Sequence, residues 1–285
     1  MAYTAKKSAW KIGGGCMAAG ALLFFMAGEL SAGGLIAVVS SASGPYAEAY
    51  AAFKAALAMP ADFYDASGPD FRPPEDARYV VAFGAKAAAL EYPPDSRLVY
   101  ALAPIIARAD NWYQVSMAPR PARALAAYKG LQPGLKRLAV FWEAYPGEKY
   151  IQELTEAGKT AGVEIISVKL KSPDSFPEHL RKLMGKMDAF WLMPDPALIN
   201  GVSLVVLANF SCANSIPFYA PTHALVLNGA TASYAPGFAA AGRAAAGAIN
   251  SMIGGAALPQ VIYTGEATLK VNSELTAKCG WPVKR

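Results

Sequence analysis

Histidine and cysteine are scarce in this chain, since 285 residues contain 2 histidines and 3 cysteines. Neither histidine has the spacing to a cysteine that a zinc site requires, so no metal site is expected. A serine hydrolase needs a histidine base beside its nucleophile. His179 falls in a polar helix, and no nucleophile can be assigned to His223. The composition therefore argues against zinc enzymes and triad hydrolases.

The common nucleotide and hydrolase motifs are also missing. No G-x-G-x-x-G follows a strand and no P-loop is present, and no G-x-S-x-G nucleophile elbow occurs. The glycines at residues 13–15 lie ahead of the first strand and cannot cradle a phosphate. Paired carboxylates such as Glu148 and Glu153 fall on polar faces of helices. We expect no catalytic residue, no cofactor and no enzymatic activity.

Charge is sparse and nearly balanced. Charged residues make up 16% of the chain, and the formal net charge is +5. Nucleic-acid-binding domains carry a basic stripe or patch, whereas the densest group here is Lys169 and Lys171 beside the end of a strand. The sequence therefore predicts no nucleic-acid partner.

One uncharged apolar segment lies at the N-terminus. The segment runs over residues 12–28 and is preceded by Lys6, Lys7 and Lys11. Small residues near Ala32 then offer a cleavage site. This order is typical of a secretory signal peptide, and the stretch is shorter than the roughly 20 apolar residues of a membrane span. We expect a cleaved signal peptide at residues 1–32 and a periplasmic protein. A retained membrane anchor is the alternative.

Two cysteines remain after such a cleavage, Cys212 and Cys279. Export permits a disulfide between them. Two separate buried thiols fit the sequence equally well, because free cysteine is among the most buried residue types.

Apolar strands alternate with helices along the rest of the chain. The run at residues 34–40 is continuous and rich in branched residues, which is typical of a strand buried on both faces. Further strands are predicted at residues 78–84, 97–103, 136–142, 163–169 and 188–193. The alternation predicts an α/β fold with parallel sheets covered on both faces. Because it restarts after Gln132, Pro133 and Gly134, we expect two similar three-layer lobes.

Polar residues follow several of these strands, and ligands of open α/β sheets bind outside the carboxyl ends of strands. Asp195 stands between two prolines directly after a strand. Its carboxylate could meet a ligand amino group or cap the helix that follows. Thr222 and His223 follow the next strand. Trp142 ends another strand and could belong either to a ligand site or to the core.

Five stretches, taken in order, carry a resemblance to a known family. They are LQPGLKRLAV at 131–140, DAFWLMPDP at 188–196, IPFYAP at 216–221, GATASY at 229–234 with Gly242 and Arg243 beyond it, and LKVNSELTAKCGWP at 269–282. The series resembles the ABC transporter substrate-binding protein family that includes tryptophan- and tyrosine-binding members. The likeness is good from about residue 122 to 282 and loose over residues 35–115. It implies a type I periplasmic-binding-protein fold, with two lobes joined by three crossing strands.

The resemblance also implies where the lobes divide. The first lobe would take residues 33–117 and 232–255, and the second would take residues 118–231 and 256–285. Met117 and Thr231 would lie near crossings. The ligand would sit between the lobes, and an ABC permease complex in the inner membrane would receive it.

Candidate ligand-binding residues come from the strand tips and from this resemblance. Asp195 falls where family members carry an aspartate that can hold a ligand amino group, and the first strand tip offers hydroxyls and amides for a carboxylate. Family members usually have Gly-Thr or Gly-Ser after the second strand, whereas Gly84 is followed by Ala85 and Lys86. Lys86 would favour a more anionic ligand. The predicted set is Ser40, Ser41, Ser43, Tyr46, Gly84, Lys86, Trp142, Asp195, Thr222, His223 and Tyr234.

These expectations combine into one function. The chain is expected to be a monomeric, exported solute-binding protein of an ABC importer that captures a small molecule, an amino acid or a related small anion, by hinge closure. The alternative is a periplasmic sensing module that passes the same closure to a signalling partner.

Overall fold

The computed structural model describes residues 34–104 and 109–284, and the predicted signal peptide at residues 1–32 lies outside them. Two six-stranded sheets organise the described residues, and each carries helices on both faces. The predicted α/β fold with two three-layer lobes is therefore confirmed. Among the described residues, no helix combines the length and the apolar character that a membrane span requires.

The first sheet is entirely parallel, with the strand order β11-β5-β4-β3-β1-β2. Its strands are β1 (Leu35–Val39), β2 (Asp62–Asp65), β3 (Tyr79–Phe83), β4 (Arg97–Ala101), β5 (Trp112–Val115) and β11 (Val261–Ile262). Its helices are α1 (Gly44–Ala56), α2 (Ala85–Ala88) and α8 (Phe238–Ile253). β1 is buried along its whole length, as its continuous apolar run predicts.

The second sheet has the order β12-β10-β9-β8-β6-β7, and only its β10–β12 pair is antiparallel among the described strands. Its strands are β6 (Arg137–Trp142), β7 (Glu164–Lys169), β8 (Ala189–Leu192), β9 (Phe218–Tyr219), β10 (Ala232–Pro236) and β12 (Ala267–Val271). Its helices are α3 (Pro121–Leu131), α4 (Glu148–Ala161), α5 (Phe176–Leu183), α6 (Gly201–Asn214), α7 (His223–Val226) and α9 (Ser273–Lys278), with a short 3₁₀ turn at Pro173–Ser175.

Each sheet has an apolar core on both faces, because successive side chains of a strand point to opposite sides. In β3, Val81 and Phe83 pack with α1 and α8, whereas Val80 and Ala82 pack with α2. In β6 the same alternation divides the side chains between the α3–α4 face and the α5–α6 face. Because the paired strands run parallel, the carboxyl ends of the parallel strands in each sheet lie at one edge.

The chain passes between the sheets three times: from β5 to α3, from β10 to α8, and from β11 to β12. Strand pairing corrects two of the predicted lobe boundaries. The resemblance places residues 232–236 in the first lobe, but β10 pairs with β9 and β12 in the second sheet. The resemblance places residues 256–262 in the second lobe, but β11 pairs with β5 in the first sheet. The second crossing therefore follows Pro236 instead of Thr231.

Cys212 at the end of α6 and Cys279 after α9 form a disulfide, which decides between the two alternatives that the sequence leaves open. The bridge fixes the C-terminal segment to the second lobe. Beside it, the Ser215 hydroxyl donates to the Cys279 carbonyl oxygen (2.8 Å), and the Trp281 indole N–H donates to the Ser211 carbonyl oxygen (3.2 Å).

Helices α1 and α8 approach each other so closely that only glycine fits at one point of contact. A Cβ atom on Gly242 would lie 1.9 Å from the carbonyl oxygen of Ala49, an overlap with backbone that no side-chain rotation relieves. Gly247, on the exposed side of the same helix, has nothing within 4 Å of an added Cβ.

We expect Gly242→Ala to lower the free energy of unfolding by about 3 kcal/mol, because overpacking a rigid contact forces backbone shifts. Gly247→Ala, the matched control, should raise it by up to about 1 kcal/mol through helix propensity. Urea denaturation followed by circular dichroism measures both. Equal effects of the two substitutions would contradict the close approach of α1 and α8.

Candidate functional site

The tips of β1 and β3 meet at the carboxyl edge of the first sheet. The Ser40 hydroxyl accepts a hydrogen bond from the Ala87 amide in α2 (2.9 Å). Gly84 has φ +98°, and a Cβ atom there would lie 2.4 Å from Ser40 Oγ and 2.6 Å from Tyr46 Cε1. The structure thus brings Ser40, Tyr46 and Gly84 together, and glycine is required at 84 both for its backbone conformation and for space.

The loop between β1 and α1 presents two further hydroxyls. Ser41 Oγ and Ser43 Oγ lie 2.8 Å apart. Ser43 is the N-cap residue of α1, but its side chain makes no capping hydrogen bond. Because the first amides of a helix lack partners within the helix, this N-terminus leaves donors beside the two hydroxyls.

Asp65, which the sequence reasoning missed, braces this loop. Its carboxylate accepts from the amides of Ser67 (2.8 Å) and Ala42 (3.2 Å). The hydrogen bond from Ser67 is the chief cause that lowers the pKa of Asp65 below its usual value. β2 is an exposed strand with no apolar alternation, so no sequence signal pointed to a carboxylate at its end.

The Lys86 side chain points away from the hydroxyls of Ser41 and Ser43 and toward the loop after β2. Its ammonium donates to the backbone carbonyl oxygens of Ser67 (2.8 Å) and Gly68 (3.2 Å). The side chain therefore fixes the loop after β2, and its charge is directed to that loop.

Asp195 connects the tips of β8 and β6 in the second lobe. It is 2% exposed. Oδ1 accepts from the Ala197 amide (3.1 Å), and Oδ2 accepts from three amides in the turn after β6, those of Glu143 (3.2 Å), Ala144 (2.7 Å) and Tyr145 (2.9 Å). The carboxylate thus binds backbone amides of two loops, whereas the helix that follows, α6, is capped by Asn200.

Trp142 belongs to the core of the second lobe. It is 4% exposed, and its indole N–H donates to the Ser167 hydroxyl (2.9 Å). The Lys169 ammonium lies 4.7 Å from the centroid of its ring and pairs with Glu148 (3.0 Å). These neighbours come from β7, the edge strand beside β6, and from the first turn of α4, and Lys169 itself is the last residue of β7.

The remaining predicted residues divide between the cleft and the second sheet. Thr222 is the N-cap residue of α7 and faces the first lobe across a small cavity. His223 Nε2 lies 3.0 Å from the carbonyl oxygen of Thr268 in β12, which ties α7 to that strand. Tyr234 is half-buried in β10, where its amide donates to the Tyr128 hydroxyl (3.1 Å).

The small cavity, which we call the cleft floor, lies where the two lobes meet beside the crossings. Its volume is about 20 Å³, room for about one water molecule. Its walls come from both lobes and from the helix of the second crossing, including Leu102, Val115, Ser116, Pro221, Thr222 and Phe238. Apart from Thr222, sequence reasoning missed these residues, because apolar residues at strand ends look like core.

A larger cavity, the hinge-side cavity, opens on the other side of the first crossing. Its volume is about 430 Å³. Its walls include Gln114 and Ser116 of the first lobe, Tyr145, Tyr150 and Glu153 of the second, and Tyr263 in the third crossing. None of the eleven predicted ligand-binding residues lines it. In the part of the chain that the structure describes, no group of three or more His, Cys, Asp or Glu side chains could hold a metal ion.

Comparison with known proteins identifies the fold. Neither a protein-family model nor a curated protein matches the chain. An ABC domain in complex with L-Trp from Streptococcus pneumonia superposes with a TM-score of 0.59 at 16% identity, over 88% of this chain and 96% of that one. A ligand-free, open substrate-binding protein with adhesive properties from Clostridium difficile gives a TM-score of 0.61 at 14% identity, over 87% and 95%.

A third solved structure, a sugar ABC transporter protein from Actinomyces odontolyticus, has a TM-score of 0.51 at 10% identity, over 87% of this chain and 98% of that one. Identities this low show the fold alone. The predicted type I periplasmic-binding-protein fold is thereby confirmed.

Proposed function

We propose that the chain is a solute-binding protein of an ABC importer, which captures a small molecule between its lobes and catalyses no reaction. One observation carries the proposal: strand tips of both sheets meet at the cleft floor, beside the first and second crossings of the chain. A molecule held between the strand tips, above this floor, would contact both lobes at once. Since its affinity is then greatest for the closed state, binding would drive closure about the crossings.

We propose an amino acid or a related small carboxylate as the ligand. Support comes from the Ser41 and Ser43 hydroxyls beside the uncapped N-terminus of α1, because helix N-termini favour anionic groups. The solved L-Trp complex has the same fold. Asp195 and Lys86 do not add to this support, since their charged groups already have backbone partners.

We further propose that the protein acts in the periplasm and delivers its ligand to a permease complex as a monomer. The Cys212–Cys279 disulfide supports export, because such bonds persist in oxidising compartments. Deleting the gene should abolish uptake of the ligand into cells. Unchanged uptake with a lost transcriptional response to the ligand would favour the sensing role instead.

A thermal-shift screen of amino acids, small carboxylic acids and sugars tests ligand binding. A ligand that binds only the folded protein stabilises it by about 2.7 kcal/mol at one hundred times its dissociation constant. We expect at least one carboxylate to raise the melting temperature, and replacing Ser41 and Ser43 together by Ala to weaken its binding about tenfold. Ser251→Ala, on the exposed side of α8, is the control. A response to sugars alone would overturn the proposed ligand class, and no response to any compound would overturn the binding role.

A further inference from the structure

The hinge-side cavity is separate from the cleft floor. Val115 lines the floor and its neighbour Gln114 lines the hinge-side cavity, because successive residues of β5 point to opposite faces of the sheet. Ser116, at the end of the strand, touches both. A molecule in the hinge-side cavity would therefore lie behind the crossing strand, away from the serines at the tip of β1.

The size and walls of this cavity suit a small ligand. Its volume of about 430 Å³ lies in the range of roughly 300–1,000 Å³ that is typical of ligand sites. The Tyr150 hydroxyl donates to the Pro119 carbonyl oxygen (2.8 Å), and the Tyr145 hydroxyl accepts from the Met117 amide (2.9 Å). Because these hydroxyls are already bonded, the two tyrosines offer mainly the sides of their rings as rigid walls.

Two opposite charges line the cavity from one helix. Lys149 and Glu153 are separated by one turn of α4, and both face the cavity. Side chains at this spacing are neighbours on a helix surface and commonly pair. No ion pair joins these two residues in the described structure, whereas Lys159 and Glu156, further along α4, do pair (2.7 Å).

The other charged groups nearby have partners of their own. Glu148 pairs with Lys169 (3.0 Å), toward β7. The Arg120 guanidinium lies 4.9 Å from the centroid of the Tyr263 ring. The Tyr263 hydroxyl donates to Glu153 (3.3 Å), and burial, followed by the charge of Glu153, raises the pKa of Tyr263 so that this donor is retained. The carboxylate of Glu153 is thus held at the cavity wall and keeps free acceptor positions.

We propose that the hinge-side cavity is a second binding site, for a small zwitterion whose carboxylate meets Lys149 and whose ammonium meets Glu153. Four residues of helix rise about 6 Å, so the two charged groups of the ligand would be separated by several bonds. Because the walls belong to both lobes and to the third crossing, an occupant would also influence the angle between the lobes.

Titration calorimetry with three compounds of equal chain length tests the charge requirement, on the full-length protein carrying Ser41→Ala and Ser43→Ala so that the proposed carboxylate site in the cleft does not contribute. The probes are 4-aminobutanoate, n-butylammonium and butanoate. We expect 4-aminobutanoate to bind at least tenfold more tightly than either singly charged compound, and more weakly as salt is added. Equal affinity for a singly charged compound, or no binding of 4-aminobutanoate, would overturn the proposal.

Variants locate the site. Glu153→Gln and Lys149→Gln should each weaken binding of 4-aminobutanoate at least tenfold, whereas Glu156→Gln on the same helix should leave it unchanged. The Ser41→Ala, Ser43→Ala double variant should also leave it unchanged. If the serine variant loses binding and Glu153→Gln does not, the compound occupies the cleft, so the second site is refuted while the proposed function stands.

Discussion

Asp195→Ala is expected to lower the free energy of unfolding by about 3–5 kcal/mol, the range observed when a buried charged group loses its partner. In this case the charged group itself is removed, and the backbone amides that it binds remain. The substitution would leave four backbone amides without their acceptor, those of Glu143, Ala144, Tyr145 and Ala197. Each buried donor that stays unpaired costs about 1–3 kcal/mol, and entry of water would recover part of that sum.

Urea denaturation of the purified variants measures this effect. Asp174→Ala is the matched control, because Asp174 is exposed and a surface change of this kind stays within about 0.5 kcal/mol. Asp195→Asn keeps the shape and one acceptor oxygen, so it should lose less than Asp195→Ala. If Asp195→Ala kept full stability and lost only the affinity for amine-bearing ligands, the carboxylate would serve the ligand, and its role in holding the two loops together would be wrong.

The two-lobed fold could be predicted because its central strands carry strong signals. Leu35–Val39 and Ala189–Leu192 are buried at every position, and such strands have continuous apolar sequences. β2 was missed for the opposite reason. It lies at the edge of the sheet, its ends are Asp62 and Asp65, and Phe63 is 43% exposed, so neither alternation nor a continuous apolar run marks it.

That strand tips meet at one edge of a sheet could also be predicted, but the partners of the charged residues there could not. Strand tips share one edge of a parallel sheet, which is why Ser40 and Gly84 meet as expected. Three of the four amides that bind Asp195 lie about fifty residues earlier in the chain, and the carbonyls that bind Lys86 belong to a loop with no sequence signature. Such contacts depend on how the tips are folded, which no local pattern records.

The sequence indicates the hinge-side cavity even less clearly than it indicates the strand tips. Lys149 and Glu153 have the spacing of an ordinary surface ion pair, and Glu153 was interpreted as part of a polar helix face. Only the position of α4 against Gln114 and Tyr263 shows that this face borders a cavity. Polar helix faces near a predicted crossing therefore merit the same scrutiny as strand tips.

Replacing Cys212 and Cys279 together by Ser should lower the free energy of unfolding by about 4 kcal/mol, since the bridge closes a loop between residues 67 positions apart and restrains the unfolded chain. Reductant should lower the stability of the unmodified protein by a similar amount and leave the double variant unchanged, as measured by urea denaturation with and without dithiothreitol. Ser215→Ala, which removes only the hydrogen bond to Cys279, should cost about 1 kcal/mol. If reductant still lowered the stability of the double variant, the Cys212–Cys279 bridge would not be the source of the effect. A loss of the expected size would mean that the fold depends on an oxidising compartment, which ties its stability to the export that we propose.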